Sequence, residues 1–278
     1  MQLGPVVTEE RLEPPVFMCR IFRDSFLSRY GSLVFLLGSH RQCSAGWFVE
    51  CLDRIRVGTV TDTDLVVLNS TSSGVSDEEW GSRTQLRARN SDVDKFNLSK
   101  LRSLAGPEVV YRCEDEINPS LKHAGRRQYA TKRLQATAAP ALTIKPGAVV
   151  MLTRKVSGIL TATQGSVMRC GAAEVVCVFS DTEVTVPLVS FDVFDNTGMR
   201  LATRRAMPLV LAWSVTIHRA QGTNLDSLAI NFTNLHWREP GLVYSGLSRC
   251  RLFKNLFVRD LRRENIVVCA DAMHFYGL

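Results

Sequence analysis

Between residues 147 and 191 the chain runs through GAVVMLTRKV (147–156), GSVMRC (165–170), EVVCVF (174–179) and EVTVPLVSF (183–191). These are short apolar stretches broken by Gly- and Asp-containing turns, the pattern of a small barrel or sandwich. The flanks have the opposite character. SLVFLLG (32–38) reads as a buried strand ended by Gly38, and GWFVECLDRIRVG (46–58) as a helix with Phe48, Leu52 and Ile55 at helical spacing and Gly58 closing it. TQLRAR (84–89) reads as a second strand. SDVDKFNLSKLRSLAG (91–106) is a second helix, with Ser91 as N-cap and Val93, Phe96, Leu101 and Leu104 inward. Beyond the β-rich stretch, HWREPGLVYSGLSRCRLF (236–253) reads as a third helix begun by Pro240, and NLFVRDL (255–261) and ENIVVCA (264–270) as strands. Alternating strands and helices make an α/β sheet. The chain is thus expected to be an α/β domain interrupted by a small all-β insertion.

Two further stretches read as irregular. NSTSSGVSDEEWGSR (69–83) is rich in turn formers and is expected to be a loop. NPSLKHAGRRQYATKRLQATAAP (118–140) is basic, Pro-flanked and without clear periodicity, and is expected to be a connection.

Charge narrows the function classes. A net charge of +7 and a pI of about 9.1 favour a polyanionic partner, nucleic acid before an acidic membrane. The eight cysteines include no C-x-x-C pair, and most sit in apolar runs, as Cys177 does in EVVCVF. They are expected to be buried reduced thiols rather than a disulfide or metal framework. No apolar run approaches the ~18 residues of a membrane helix. Glu9, Glu10 and Glu13 are foreign to a secretory signal.

SVTIHRAQG (214–222) is expected to be helical, yet it has no clean apolar face, and Ser214, His218 and Gln221 fall together at helical spacing. Half-buried polar side chains need partners.

This stretch is one of five that, in order, resemble a known family: HRQ (40–42), LRARNSDVDKFN (86–97), LTIKPGAVVMLTRK (142–155), LAWSVTIHRAQGTNLD (211–226) and GLVYSGLSRCRLFKNLFV (241–258). Over residues 33–262 the chain resembles the C-terminal half of a PIF-type (petite integration frequency) helicase, a superfamily-one DNA motor. The resemblance implies a RecA-like α/β domain with an inserted small β-barrel. Residues 1–30 would be a possible remnant of a first RecA-like domain. Residues 31–140 and 206–278 would form the second RecA-like domain, with the barrel at 141–205.

The resemblance also assigns roles. Arg41 in HRQ would reach the nucleotide phosphates, and Arg249 in GLSRC would be the arginine finger. Arginine suits both tasks because its charge is permanent and its fork matches phosphate oxygens. Gln221 and Gly222 would approach ATP. Thr216, His218 and Arg219 would bond the backbone of single-stranded DNA, with Asn90 near it. Lys145 begins the segment leading into the barrel. ATP and Mg²⁺ are the implied cofactors, and ATP-dependent 5′ to 3′ unwinding in replication, repair or recombination is the implied activity. Mitochondrion or nucleus is the implied compartment.

Parts of that machinery are missing from these residues. A phosphate loop needs Gly-Lys, and no Gly in the sequence is followed by Lys. The acid pairs Asp77-Glu78 and Asp115-Glu116 do not end apolar strands, as Mg²⁺ ligands would. LEPPVF (12–17) resembles the tail of a family motif, with Glu13 in place of a proline and Arg11 in place of a glutamine. ILTATQG (159–165) stands where the family has an Asn-Gly turn. The chain is therefore expected to be inactive alone. A first RecA-like domain would come from missing sequence or from a partner. The alternatives are a non-catalytic single-stranded DNA-binding or regulatory relative, and an interaction protein that has kept only the fold.

Overall fold

A computed structural model describes Gln42 and residues 46–276. The expected strand at 32–38, the segment 1–30 and Arg41 lie outside the described residues. The chain divides into two units: one reaches Val93 and resumes at Val215, and the other is Asp94–Ser214.

The first unit is built on strands β1 (Thr84–Arg87), β12 (Ser214–Thr216), β13 (Leu228–Asn231) and β14 (Leu256–Arg259), in the order β12-β1-β13-β14. β1 pairs in parallel with β13, Leu86 opposite Ile230, and β13 pairs in parallel with β14, Ile230 opposite Val258. All three side chains are buried. A strand buried on both faces reads as a continuous apolar run, as LAI (228–230) does.

Helix α1 (Trp47–Val57) forms as the spacing predicts, burying Phe48, Cys51, Leu52 and Ile55. Gly58 ends it in the left-handed conformation, φ 78°, which a glycine adopts without a Cβ penalty. Residues 69–83 depart from the expected loop. They contain the end of α2 (Asp62–Ser70) and all of α3 (Asp77–Ser82). Serine and aspartate start helices as readily as they make turns. Ser76 accepts a bond from the Glu79 amide at 3.1 Å, and Thr61 and Asp64 form a reciprocal capping box at the start of α2.

The third expected helix is much shorter than 236–253. It is α7 (Leu242–Leu247), starting after Gly241 and preceded by a 3₁₀ turn at Leu235–Trp237. Pro240 disfavours helical backbone at the residue before it. The expected strand at 264–270 is absent. Asn265 is buried, and its Oδ1 accepts the Arg262 amide at 2.8 Å, turning the chain locally before α8 (Ala270–Tyr276). SVTIHRAQG is not a helix throughout: Ser214–Thr216 is strand, and only Ile217–Ala220 (α6) makes a helical turn.

The second unit begins within α4 (Asn90–Ser103), close to the expected helix, and contains two β-cores. Strands β5 (Val149–Leu152), β6 (Gln164–Cys170), β7 (Glu174–Phe179), β8 (Thr182–Pro187) and β11 (Leu209–Leu211) form a sheet in the order β11-β5-β6-β7-β8, antiparallel throughout. Val150, Leu152, Val167, Val175, Cys177, Phe179 and Val186 share its core. Burial pushes the Cys177 thiol up to about 12, so it packs as a protonated hydrophobe. β2 (Val109–Arg112) and β4 (Ala141–Ile144) make a separate antiparallel pair.

The other core lies where a structureless connection was expected. Residues Ala124–Thr137 form a helix, α5, whose Ala130 and Leu134 pack with Val193, Leu201 and Ala202. Its sheet is β3 (Glu114–Ile117), β10 (Arg200–Ala206) and β9 (Val189–Phe194). Arg204, buried, grips both oxygens of Asp115 at 2.7 Å and also donates to the Ala138 carbonyl at the end of α5. A cation at that carbonyl end suits the helix dipole. Two buried residues give too narrow a stripe for periodicity to reveal.

In the first unit, Asp64 carries the most committed carboxylate. It is buried and accepts from Arg54 Nε at 2.8 Å, from Arg54 Nη2 at 2.6 Å and from the Thr61 amide at 3.0 Å. The Arg54 guanidinium holds it well below the usual carboxylate range. A depressed folded value means the stabilisation is complete above the unfolded value near ~4 and is lost as pH falls through the folded one. Asp64→Asn is expected to lower the unfolding free energy by about 3 kcal/mol in urea titrations at neutral pH. The deficit should shrink as the buffer is taken below pH ~4. Equal stability of the two proteins at neutral pH would contradict this role.

Candidate functional site

Three strands of the first unit, β1, β13 and β14, run parallel and end together at Arg87, Asn231 and Arg259. Ligands of open parallel sheets sit outside the carboxyl ends of the strands. Here that edge holds a cleft of about 180 Å³ lined by Arg87, Asp92, Asn231, Thr233, Asn234 and Trp237, among others. The Thr233 amide donates to Asn231 Oδ1 at 2.9 Å and its hydroxyl to Asp260 Oδ2 at 2.8 Å, tying the ends of β13 and β14 together. Asn90 follows β1 at the same edge, as the exposed first residue of α4. The cleft was not foreseen. Its signal in the sequence was the cluster of Asn231, Thr233 and Asn234 directly after an apolar strand.

Segment 214–222 is shaped by its backbone. Thr216 ends β12 and caps α6, its hydroxyl accepting the Arg219 amide at 3.3 Å. Thr216 is buried, so its hydroxyl serves the turn. His218, Arg219, Gln221 and Gly222 are exposed. Thr223 closes the turn with a bond from its hydroxyl to the Ala220 carbonyl at 2.8 Å. Gly222 has φ +81°. Ser214 belongs elsewhere. It is fully buried, and its amide donates to Asn97 Oδ1 at 2.8 Å.

The Arg249 segment is joined to this one. The Leu225 amide donates to the Arg249 carbonyl at 3.0 Å, within a parallel bridge from Leu225 to Cys250. Arg249 is half-buried, and its Nε donates to the Ser245 carbonyl at 3.0 Å, one turn back in α7. Cys250 is buried and its thiol is pushed up to about 11, chiefly by desolvation. It anchors the segment rather than reacting. Gln42, the neighbour of Arg41 in HRQ, is buried and donates to the Ser248 carbonyl at 3.1 Å. The structure thus brings the 216–222 and 249 segments together and ties Gln42 to them. Arg41 itself lies outside the described residues. No hydrogen bond or ion pair joins Asn90 to 216–222 among the described residues. Lys145, in the second unit, is a buried brace that donates to the Leu104 carbonyl at 3.1 Å.

The 216–222 and 249 segments bring together His218, Arg219, Gln221 and Arg249, basic and amide side chains suited to anionic oxygen. Neither acid pair changes that. Asp115 is engaged by Arg204, and Asp77 stands fully exposed at the start of α3. Among the described residues no group of three or more His, Cys, Asp or Glu side chains could hold a metal ion, whereas the 216–222 and 249 segments suit a phosphate-bearing ligand.

No family model matches the chain. The chain is 31% identical over 249 residues to the ATP-dependent DNA helicase Pif1 of Bdellovibrio bacteriovorus, a match covering 87% of this chain and 53% of that protein. The crystal structure of Pif1 helicase from Candida albicans superposes with a TM-score of 0.71 at 25% identity, covering 86% of this chain and 59% of that one. Bacteroides Pif1 bound to single-stranded DNA superposes with a TM-score of 0.69 at 20% identity, over 99% of this chain and 64% of that one, and speaks to fold alone. The fold is therefore RecA-like, a parallel sheet in a mixed α/β chain. By sequence the chain is similar to Pif1 helicases, spanning about half the length of the Bdellovibrio protein.

Gly246, in the GLSRC stretch, shows how tightly the Arg249 segment is seated. A Cβ there would lie 3.4 Å from Ile230 Cδ1 and 3.6 Å from Ile217 Cδ1. Gly246→Ala meets ordinary contacts, whereas the branched side chain of Gly246→Val must displace β13 or α6. Val is expected to cost about 2 kcal/mol more than Ala in urea unfolding. Equal midpoints for the two variants would show that α7 is not held against these elements.

Proposed function

We propose that the chain is the second RecA-like half of a PIF-type ATP-dependent DNA helicase, with 5′ to 3′ polarity, acting in DNA replication, repair or recombination. The observation that carries this is the joining of the 216–222 and 249 segments through the Leu225–Arg249 hydrogen bond. It sets an exposed His218 and Arg219 in one segment with a half-buried Arg249 in the next. In this reading His218 and Arg219 contact the phosphates of single-stranded DNA, Thr216 holds their turn, and Asn90 lies along the same strand. Gln221, Gly222, Arg41 and Arg249 face ATP, with Arg249 countering charge as the γ-phosphate departs.

The domain assignment follows the same resemblance: RecA-like segments at 31–140 and 206–278, and a small barrel at 141–205. The workplace is a compartment that holds DNA, mitochondrion or nucleus.

Arginine fingers speed hydrolysis of a nucleotide already held by a phosphate loop. No Gly-Lys occurs in these 278 residues, so that loop must come from outside them, from a first RecA-like domain in the same protein or in a partner. The same absence favours a second reading, a non-catalytic relative that binds single-stranded DNA or regulates a related motor.

ATP hydrolysis by the 278-residue chain, with and without oligothymidylate, tests the division of labour. Turnover is expected to be no higher than in Arg249→Ala, with no stimulation by DNA. DNA-stimulated hydrolysis by this chain alone would overturn the claim that the cradle lies elsewhere.

A further inference from the structure

The sequence 118–140 contains Lys122, Arg126, Arg127, Lys132 and Arg133 and no Asp or Glu. Most of it is α5, which buries only Ala130 and Leu134. Arg126, Tyr129, Lys132 and Arg133 recur at i, i+3, i+6 and i+7, so they line one face of the helix, and all four are exposed. Tyr129 stands 52% exposed between the two arginines. Arg126 pairs with Asp195 at 2.8 Å while its side chain remains 54% exposed.

A solvated helix face mixes charges of both signs. This one has a single sign, and its first turn has no acid. Arg126 and Arg127 stand near the N-terminal end, where the helix dipole disfavours cations. A phosphodiester backbone would relieve that repulsion. An exposed ring between the cations adds a face on which an unpaired base can stack. We propose that the outward face of α5 is a contact surface for single-stranded nucleic acid, additional to the 216–222 segment. Arg126, Lys132 and Arg133 meet phosphates, and Tyr129 stacks on a base. This surface shares with the proposed function only its polyanionic partner.

The test is anisotropy of a fluorescein-labelled oligothymidylate titrated with the full chain across a KCl series, with the matching duplex as a second probe. Lys132→Gln/Arg133→Gln spares the Arg126–Asp195 pair and keeps helix-forming residues. It is expected to reduce the slope of log K against log salt by about 1.4, two contacts at ~0.7 each. Tyr129→Leu is expected to weaken binding about fivefold or more at unchanged slope. It also supplies the reading if the double variant melts early. An unchanged slope and affinity in these variants would overturn the proposal. So would failure of the native chain to bind the oligothymidylate, or a loss confined to the duplex. Arg219→Gln, run in parallel, reports on the other surface. If it weakens binding and the α5 variants do not, the helix surface falls and the proposed function stands. The reverse result supports the helix surface and removes the DNA role of 216–222.

Discussion

The parallel pairing of β1 with β13, Leu86 opposite Ile230, is the constraint on which the first unit depends. It joins residues on either side of the whole Asp94–Ser214 unit. Closing a flexible loop of that length costs about 4 kcal/mol of chain entropy beyond a constant. Several features offset it. Leu228, Ala229 and Ile230 are fully buried in the middle of the sheet. β14 adds a second parallel ladder, and α2 is clasped to its end by the paired bonds between Asn69 and Leu261, both 2.9 Å. The intervening residues also fold around cores of their own, one in the five-stranded sheet and one beneath α5. The segments bearing His218, Arg219 and Arg249 all leave or approach this one sheet, so the site exists only if the β1–β13 pairing holds.

The chemistry of the site follows from what those segments carry. Permanent cations and backbone-capped turns can bind phosphate oxygens. They are not ligands for a divalent metal, and three of the described carboxylates are engaged within the fold. Asp64 holds Arg54, Asp115 holds Arg204, and Asp260 accepts from Thr233. Such a site can assist phosphoryl transfer only on a nucleotide that another element positions. The chain is similar to the Bdellovibrio Pif1 protein over about half of that protein's length.

Much of this was legible in the sequence. The helix at Trp47–Val57, the strands at Thr84–Arg87 and Leu256–Arg259 and most strands of the five-stranded sheet follow from apolar period and from Gly at the ends. What escaped had specific causes. α5 hides because it buries two residues, and α3 hides because Ser76 and Asp77 look like a turn until they cap a helix. SVTIHRAQG looked like one polar helix. Its polarity has two sources instead: Ser214 and Thr216 are buried and bonded to backbone, whereas His218, Arg219 and Gln221 project into solvent. Composition cannot tell a buried hydroxyl that caps a turn from an exposed one that awaits a ligand. The Gln42–Ser248 contact spans 206 residues and could not be read from local pattern at all.

The most direct measurement is complementation of ATP hydrolysis. The chain would be mixed with, or fused behind, the phosphate-loop half of the Bdellovibrio Pif1 protein, and phosphate release would be followed with oligothymidylate present. The account requires hydrolysis that neither half shows alone and that Arg249→Ala abolishes. No hydrolysis from the combined halves, or hydrolysis indifferent to Arg249, would contradict it.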